Sequence, residues 1–202
     1  MSQKLRRIEI CGGIASGKTT LCKLMATIGW AAIYENFKLN PFWSLFYKNP
    51  ELHSFETEIT FHLQHYSQIK IAVSKDEHDL FCDFSLLQDL AYAKVNLTDG
   101  PLNTFEGVYK QVVGELSLPS LLVHLECDPE EELARIVRRA RPEERGMKIK
   151  YLDALNREIA RCVNDINGKA KTLTIDSKKH NFATDKVTQQ KILALISNAV
   201  VS

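Results

Sequence analysis

Arg7-Ile8-Glu9-Ile10-Cys11-Gly12-Gly13-Ile14-Ala15-Ser16-Gly17-Lys18-Thr19-Thr20 is the stretch whose reading decides the fold. Its second half has the spacing G-x-x-x-x-G-K-T of a phosphate-binding loop. Ile8 and Ile10 alternate with polar neighbours as a short strand does, and Leu21, Leu24 and Met25 follow at helical spacing. The loop therefore sits between a strand and a helix, which is the context the motif requires.

The residue types explain the chemistry. A glycine-rich backbone comes close to an anion, so that successive N–H groups face a β-phosphate at the positive end of a helix. Lys18 adds a mobile positive charge for the β- and γ-oxygens, and the Thr19 hydroxyl is placed to coordinate Mg²⁺. The stretch predicts binding of ATP or another nucleoside triphosphate through Gly12, Gly13, Ile14, Ala15, Ser16, Gly17, Lys18, Thr19 and Thr20.

The rest of the chain bounds the setting. Its 202 residues suffice for one α/β domain over 1–202, and no proline-, glycine- or serine-rich linker divides it. A net charge of +1 argues against a nucleic-acid partner, and no apolar run approaches the length of a membrane span. The five cysteines, Cys11, Cys22, Cys82, Cys127 and Cys162, show no C-x-x-C and fall mostly in apolar stretches, which fits a reducing cytoplasm. The amino terminus runs from Lys4-Leu5-Arg6-Arg7 directly into the first strand, without a signal core.

Downstream, strands alternate with helices. A helix over 18–28 stops at Gly29; Trp30 to Tyr34 forms a second strand that delivers Glu35 at its carboxyl end, where open α/β sheets place their ligands. Residues 40–71 read as an aromatic helical segment broken at Asn49-Pro50, with Trp43, Phe46 and Tyr47 before the break. After it, Glu58, His62 and His65 share one helix face, which is expected to be solvated, with two surface histidines.

Leu80 to Asp83 reads as a third strand ending in a carboxylate of the kind that holds Mg²⁺, and Asp89 lies on the following helix. Leu121 to Glu126 is the fourth strand. Asp128-Pro129-Glu130-Glu131 opens a helix with an N-cap acid and a proline at its first position. That helix leads into an arginine run, Arg135, Arg138, Arg139, Arg141 and Arg145, which reads as a lid over about 135–150 that brings guanidinium groups to a transferred phosphate. A helix over 151–163, a fifth strand at Thr172 to Ile175 and a helix within 183–200 complete a five-stranded parallel sheet covered on both faces.

In this order the chain resembles the deoxynucleoside kinase family, P-loop kinases that transfer a γ-phosphoryl group to the 5′-hydroxyl of a deoxynucleoside. Beyond the loop, the resemblance rests on Tyr34-Glu35-Asn36, on Phe46-Tyr47-Lys48-Asn49-Pro50 leading to Phe55-Glu56-Thr57-Glu58, on Asp83-Phe84-Ser85 with Asp89, and on Arg135-Ile136-x-x-Arg139-x-Arg141-x-x-Glu144 followed by Tyr151-Leu152. It implies Glu35 as general base, with Lys18, Asp83 and Arg139 in the catalytic set, and Thr19 and Asp83 at the metal. Tyr47 and Glu144 are implied to hold the sugar 3′-hydroxyl, and Glu58 and Asp89 to read the base. Trp43 and Phe84 join the substrate-binding residues, Arg135, Arg139 and Arg141 the ATP-binding ones, and residues 176–182 are implied to hold the donor adenine. It further implies a homodimer, a role in nucleotide salvage and a preference for purine deoxynucleosides.

The sequence departs from the family pattern at three places. Phe84 replaces the arginine that normally lies beside the reacting hydroxyl, Glu58 replaces a glutamine, and a further basic position on the same helix is His65. An ionised carboxylate only accepts hydrogen bonds, whereas an amide also donates. Three other readings compete: a nucleoside monophosphate kinase, a nucleotide-binding relative that no longer catalyses, and a kinase of another small alcohol such as a sugar. The segment after the second strand sets Glu35, Glu51, Glu56 and Glu58 against Lys38, Lys48 and Lys70, which suits a neutral acceptor better than a phosphorylated one.

Overall fold

The structure is a computed structural model and describes residues 6–75 and 79–201; Lys4 and Leu5 of the expected lead-in to the first strand lie outside them. Five parallel strands form one sheet in the order β2-β3-β1-β4-β5: β1 Arg6–Gly12, β2 Ala31–Ile33, β3 Asp79–Cys82, β4 Leu121–Glu126 and β5 Thr172–Asp176. β1 is central, with Ile8 opposite Phe81 of β3 and Leu121 of β4. The connection from β1 leads to β2 on one side and that from β3 to β4 on the other, so the carboxyl ends of β1 and β3 flank the crevice where such sheets bind ligands.

Both faces of the sheet are covered. On one, α1 Lys18–Ala26 and α8 Lys186–Val201 press Leu21, Cys22, Met25, Ile192 and Ile196 onto Ile8, Ile10, Leu121, Val123 and Leu125. On the other, α4 Leu86–Asn96 and α7 Ile149–Asp165 bury Leu87, Ala91, Ile159 and Cys162 against Cys11 and Leu122. Strands buried on two sides must be apolar at nearly every position, and each fully buried leucine or isoleucine contributes about 1.5–3 kcal/mol.

A second layer of helices builds the acceptor end of the site. α2 Trp43–Phe46 precedes α3 Pro50–Ser74, and α5 Asp99–Leu116 packs Phe105 and Val112 beneath α3 and α4. α5 has no counterpart in the sequence reading. Gly100, Pro101, Gly107 and Gly114 dilute its helical signal, and tertiary packing overrides their low propensity.

Arg7 and Glu9 tie this layer to β1. Glu9 Oε2 accepts from the Leu86 N–H at the start of α4, and Glu9 Oε1 accepts from Arg7 Nε at 2.8 Å. The other Arg7 nitrogens donate to the carbonyls of Leu116 and Ser117 at the end of α5. The buried pair is thus hydrogen-bonded on all sides, the condition under which burying two charges is tolerated.

α6 Pro129–Arg139 begins as expected, Asp128 accepting from the Glu131 N–H at 2.8 Å. It ends at Ala140, whose φ of 54° turns the chain into a short 3₁₀ turn, Pro142–Glu144, before α7. β2 is shorter than expected, and β3 stops at Cys82, although the ladder continues by one bond from the Asp83 N–H to the Ile33 carbonyl.

Candidate active site

The loop between β1 and α1 forms the floor of a cleft of about 620 Å³ at the carboxyl edge of the sheet. Ile14 to Thr20 line it, whereas Gly12 and Gly13 are not among its lining residues. Gly17 caps α1 with φ of 111°, a left-handed conformation that residues with a Cβ rarely adopt. A Cβ on Gly13 would overlap Glu132 Oε1 and Asn156 Oδ1, so α6 and α7 lean directly on the loop. Asn156 Nδ2 donates to Glu132 Oε2 at 3.0 Å; burial pushes the Glu132 carboxyl up to about 8 against that bond. The Gly12 N–H donates to Gln88 Oε1. Neither prop was singled out in the sequence, although Ser85-x-x-Gln88 has the spacing of a capping box: Ser85 does cap α4, and the Gln88 side chain turns to the loop instead.

Lys18 Nζ donates to the carbonyls of Gly12 and Gly13, both at 2.9 Å. Burial lowers its pKa, and the nearby Glu35 and Asp83 carboxylates work against that. Asp83 follows β3 directly. Burial raises its carboxyl to about 7, opposed by the Thr19 hydroxyl and by Lys18, and its Oδ1 is buried without a hydrogen-bond partner.

Glu35, beyond β2, lines the same cleft, as do Trp43, Tyr47, Glu58, Asp89 and Glu144. Burial holds the Tyr47 hydroxyl well above its ordinary range. Arg135, Arg139 and Arg141 reach the cleft from the other side. Arg135 is a strut: it donates to the carbonyls of Ala15, Ser16 and Ser177 and pairs with Glu131. It thereby joins the loop to residues 176–182, where Phe182 packs below Gly17. Arg139 and Arg141 both bind Glu144.

Three expectations need correction. Phe84 does not line the cleft; it is fully buried among Ile69, Cys82, Leu86 and Val112. His62 and His65 are not surface residues, because the face they share with Glu58 turns inward, leaving them 0% and 2% exposed. Both donate to Asp89: His62 Nδ1 lies 3.0 Å from Oδ2, and His65 Nδ1 lies 3.0 and 3.1 Å from the two oxygens. Burial alone would raise the Asp89 carboxyl, but the two histidines overcome it and lower its pKa. Glu58, finally, does not behave as an ionised acceptor. Burial pushes it up to about 8 against the Asn96 amide, which donates to Oε1 at 2.7 Å. A carboxyl group kept neutral in this way both donates and accepts, as an amide does.

A phosphate-binding loop facing two carboxylates at adjacent strand ends, with arginines on and just beyond α6, defines a nucleotide-dependent phosphotransferase of the P-loop kinase fold. The chain belongs to the deoxynucleoside kinase family, whose model matches residues 8–202. It is 25% identical over 201 residues to the deoxyguanosine kinase of Bacillus subtilis, covering 96% of this chain and 97% of that one. It is 26% identical over 166 residues to the deoxyadenosine kinase of Dictyostelium discoideum, covering 79% and 67% of the two chains. The solved structure of a deoxyadenosine kinase from M. mycoides with bound dATP superposes with a TM-score of 0.79 at 25% identity, over 97% of this chain and all of that one.

Proposed function

We propose that the protein transfers the γ-phosphoryl group of ATP to the 5′-hydroxyl of a purine deoxynucleoside. The observation that carries this reading is the convergence, in one cleft, of the loop, Glu35 and Asp83 with a second set of groups suited to a nucleoside: Tyr47 and Glu144 for a sugar, Glu58 for a base edge. The names of the deoxyguanosine and deoxyadenosine kinases among its relatives support the purine preference.

Glu35 accepts the proton of the attacking hydroxyl, while Lys18, the loop N–H groups and Arg139 on a lid over 135–150 stabilise charge on the transferred group. Arg135 fixes the donor loop at Ser177 against the phosphate cradle. The residues present also fit Mg²⁺, a hard cation that takes oxygen ligands: the bare Oδ1 of Asp83 and the hydroxyl of Thr19 would hold it. When bound, the ion neutralises charge on the β- and γ-oxygens.

The same reading places the single domain in cytoplasmic nucleotide salvage, supported by five cysteines that are all free. No helix among the described residues is long and apolar enough to cross a membrane. A homodimer would cover the exposed Leu63 and Ile71 of α3.

The deciding experiment offers Mg-ATP with the four natural deoxynucleosides, their ribose counterparts and their monophosphates. Transfer to deoxyguanosine or deoxyadenosine is expected; consumption of ATP only with monophosphates, or with none of them, overturns the reading.

A further inference from the structure

His65 is held on three sides. Its ring lies flat on Phe84, with centroids 3.9 Å apart and planes 6° from parallel, and Phe61 faces it at 6.0 Å. Its Nδ1 is between the two oxygens of Asp89, whose Oδ2 also receives His62 Nδ1. The remaining polar atom, Nε2, is buried without a hydrogen-bond partner and lies 3.6 Å from Glu35 Oε1, too long for a hydrogen bond but within ion-pair reach.

The tautomer follows from the partners. A carboxylate only accepts, so Nδ1 carries a proton toward Asp89. If Nε2 were bare, its lone pair would face a second carboxylate; with a proton there, both ends of the ring are matched. Burial lowers the pKa of His65, but Asp89 and Glu35 more than offset this and raise it to about 10. Asp83 after β3 adds its field across the cleft, and Glu58 on α3 adds one only where it is ionised. Phe84 supplies a flat surface and no charge.

We propose that His65 is a positioning residue for Glu35: anchored by Asp89 and clamped on Phe84, it presents Nε2–H to the Glu35 carboxylate and fixes the group that receives the proton of the acceptor hydroxyl. Glu35 is 30% exposed and free to turn, so a small rotation closes the 3.6 Å gap to a hydrogen bond. A clamped donor on one Glu35 oxygen leaves the other to point at the substrate. Asp89 then acts as the anchor of this arrangement, its oxygens already engaged by two histidines, and Glu58 remains the group that faces the base. The inference rests on Glu35 being the proton acceptor.

Two measurements test it. In two-bond ¹H–¹⁵N spectra of histidine-labelled protein, assigned through the backbone, His65 should show both nitrogens protonated at about pH 8, where a free histidine is neutral. Glu35→Gln should shift the Nε2 signal and leave the Asp89-bound Nδ1 in place. A neutral His65, or an Nε2 signal that ignores Glu35→Gln, overturns the proposal without any assay of transfer. In steady-state kinetics His65→Gln should lower kcat by about 10²-fold for every accepted deoxynucleoside alike, with ADP affinity retained, and His65→Arg should restore part of it. An unchanged kcat overturns the positioning role, and a loss that falls in KM and re-ranks the deoxynucleosides assigns His65 to base contact instead. If the wild-type enzyme phosphorylates no deoxynucleoside, the functional reading fails, and the spectra still decide the contact.

Discussion

Arg139 sets Nε and Nη2 against the two oxygens of Glu144, at 2.7 and 2.6 Å, and Glu144 is 2% exposed. Arg141 adds a third bond at 3.3 Å while lying over the Phe37 ring. One carboxylate on the 3₁₀ turn thus gathers two arginines beside Tyr47. Removing the Arg139 fork leaves a buried carboxylate with one long partner, a loss of about 2 kcal/mol. Arg139→Ala should lower Tm by roughly 4–8 °C, at 2–4 °C per kcal/mol for a chain of this size, and raise KM for the deoxynucleoside. Arg139→Lys should recover little, because a point charge cannot reproduce the fork. Thermal melts and steady-state kinetics on both variants check this.

Glu35→Gln keeps the size of the side chain and removes its basicity. With the loop, Lys18 and Arg135 untouched, ADP affinity measured by calorimetry should stay within about twofold, while kcat falls by about 10³-fold. A kcat close to wild type would remove Glu35 from the proton transfer.

Glu58 has its pKa raised from 4.5 to about 8. A carboxyl raised on folding stabilises the native state while it is protonated, and that stability is lost as pH rises from the unfolded value through the folded one. The Tm of Glu58→Gln should therefore match wild type at about pH 5, exceed it increasingly up to about pH 8 and keep a constant lead above. In parallel, wild-type kcat/KM should fall as pH passes about 8, and that limb should be missing in Glu58→Gln. Melts and kinetics across this range are the measurements.

Gly13→Ala inserts a methyl group where Glu132 and Asn156 already touch the loop. Over-packing of this kind costs about 1–3 kcal/mol, and the displaced loop should bind ADP at least about tenfold more weakly. Glu132→Ala in the same chain should return part of the affinity by making room. If Gly13→Ala binds ADP as wild type does, the contact between α6 and the loop is not rigid.

The fold was legible because its signals are local. The G-x-x-x-x-G-K-T loop, the alternation around Ile8 and Ile10, and the Asp128-Pro129 helix start each depend on a few adjacent residues. That Glu35 and Asp83 would line one cleft was legible for the same reason: both lie at strand ends of the same sheet edge. The errors share a different cause. His62 and His65 look like surface residues on α3 until α4 and α5 are packed over them, and periodicity cannot tell which side of a helix will be covered. Phe84 was assigned to the substrate by position, yet an aromatic ring beside Cys82 and Leu86 has more to bury in the core than in the cleft. The props Gln88, Glu132 and Asn156 act on the loop from distant elements. No spacing along the chain announces such contacts.

The central place of β1 has a kinetic consequence. The first strand made must wait for the fourth to close its second edge, since Ile8 pairs with Leu121 and Gly12 with Leu125. Pairing across so much intervening chain is slow, because the ends must meet before any contact offsets the lost entropy. A nascent chain that stops short of β4 leaves one edge of the apolar strand leading into the phosphate loop open to other chains. Synthesis through Glu126 is thus the point at which the nucleotide cradle gains its second flank, and the open edge passes from β1 to β4 until Thr172–Asp176 is made.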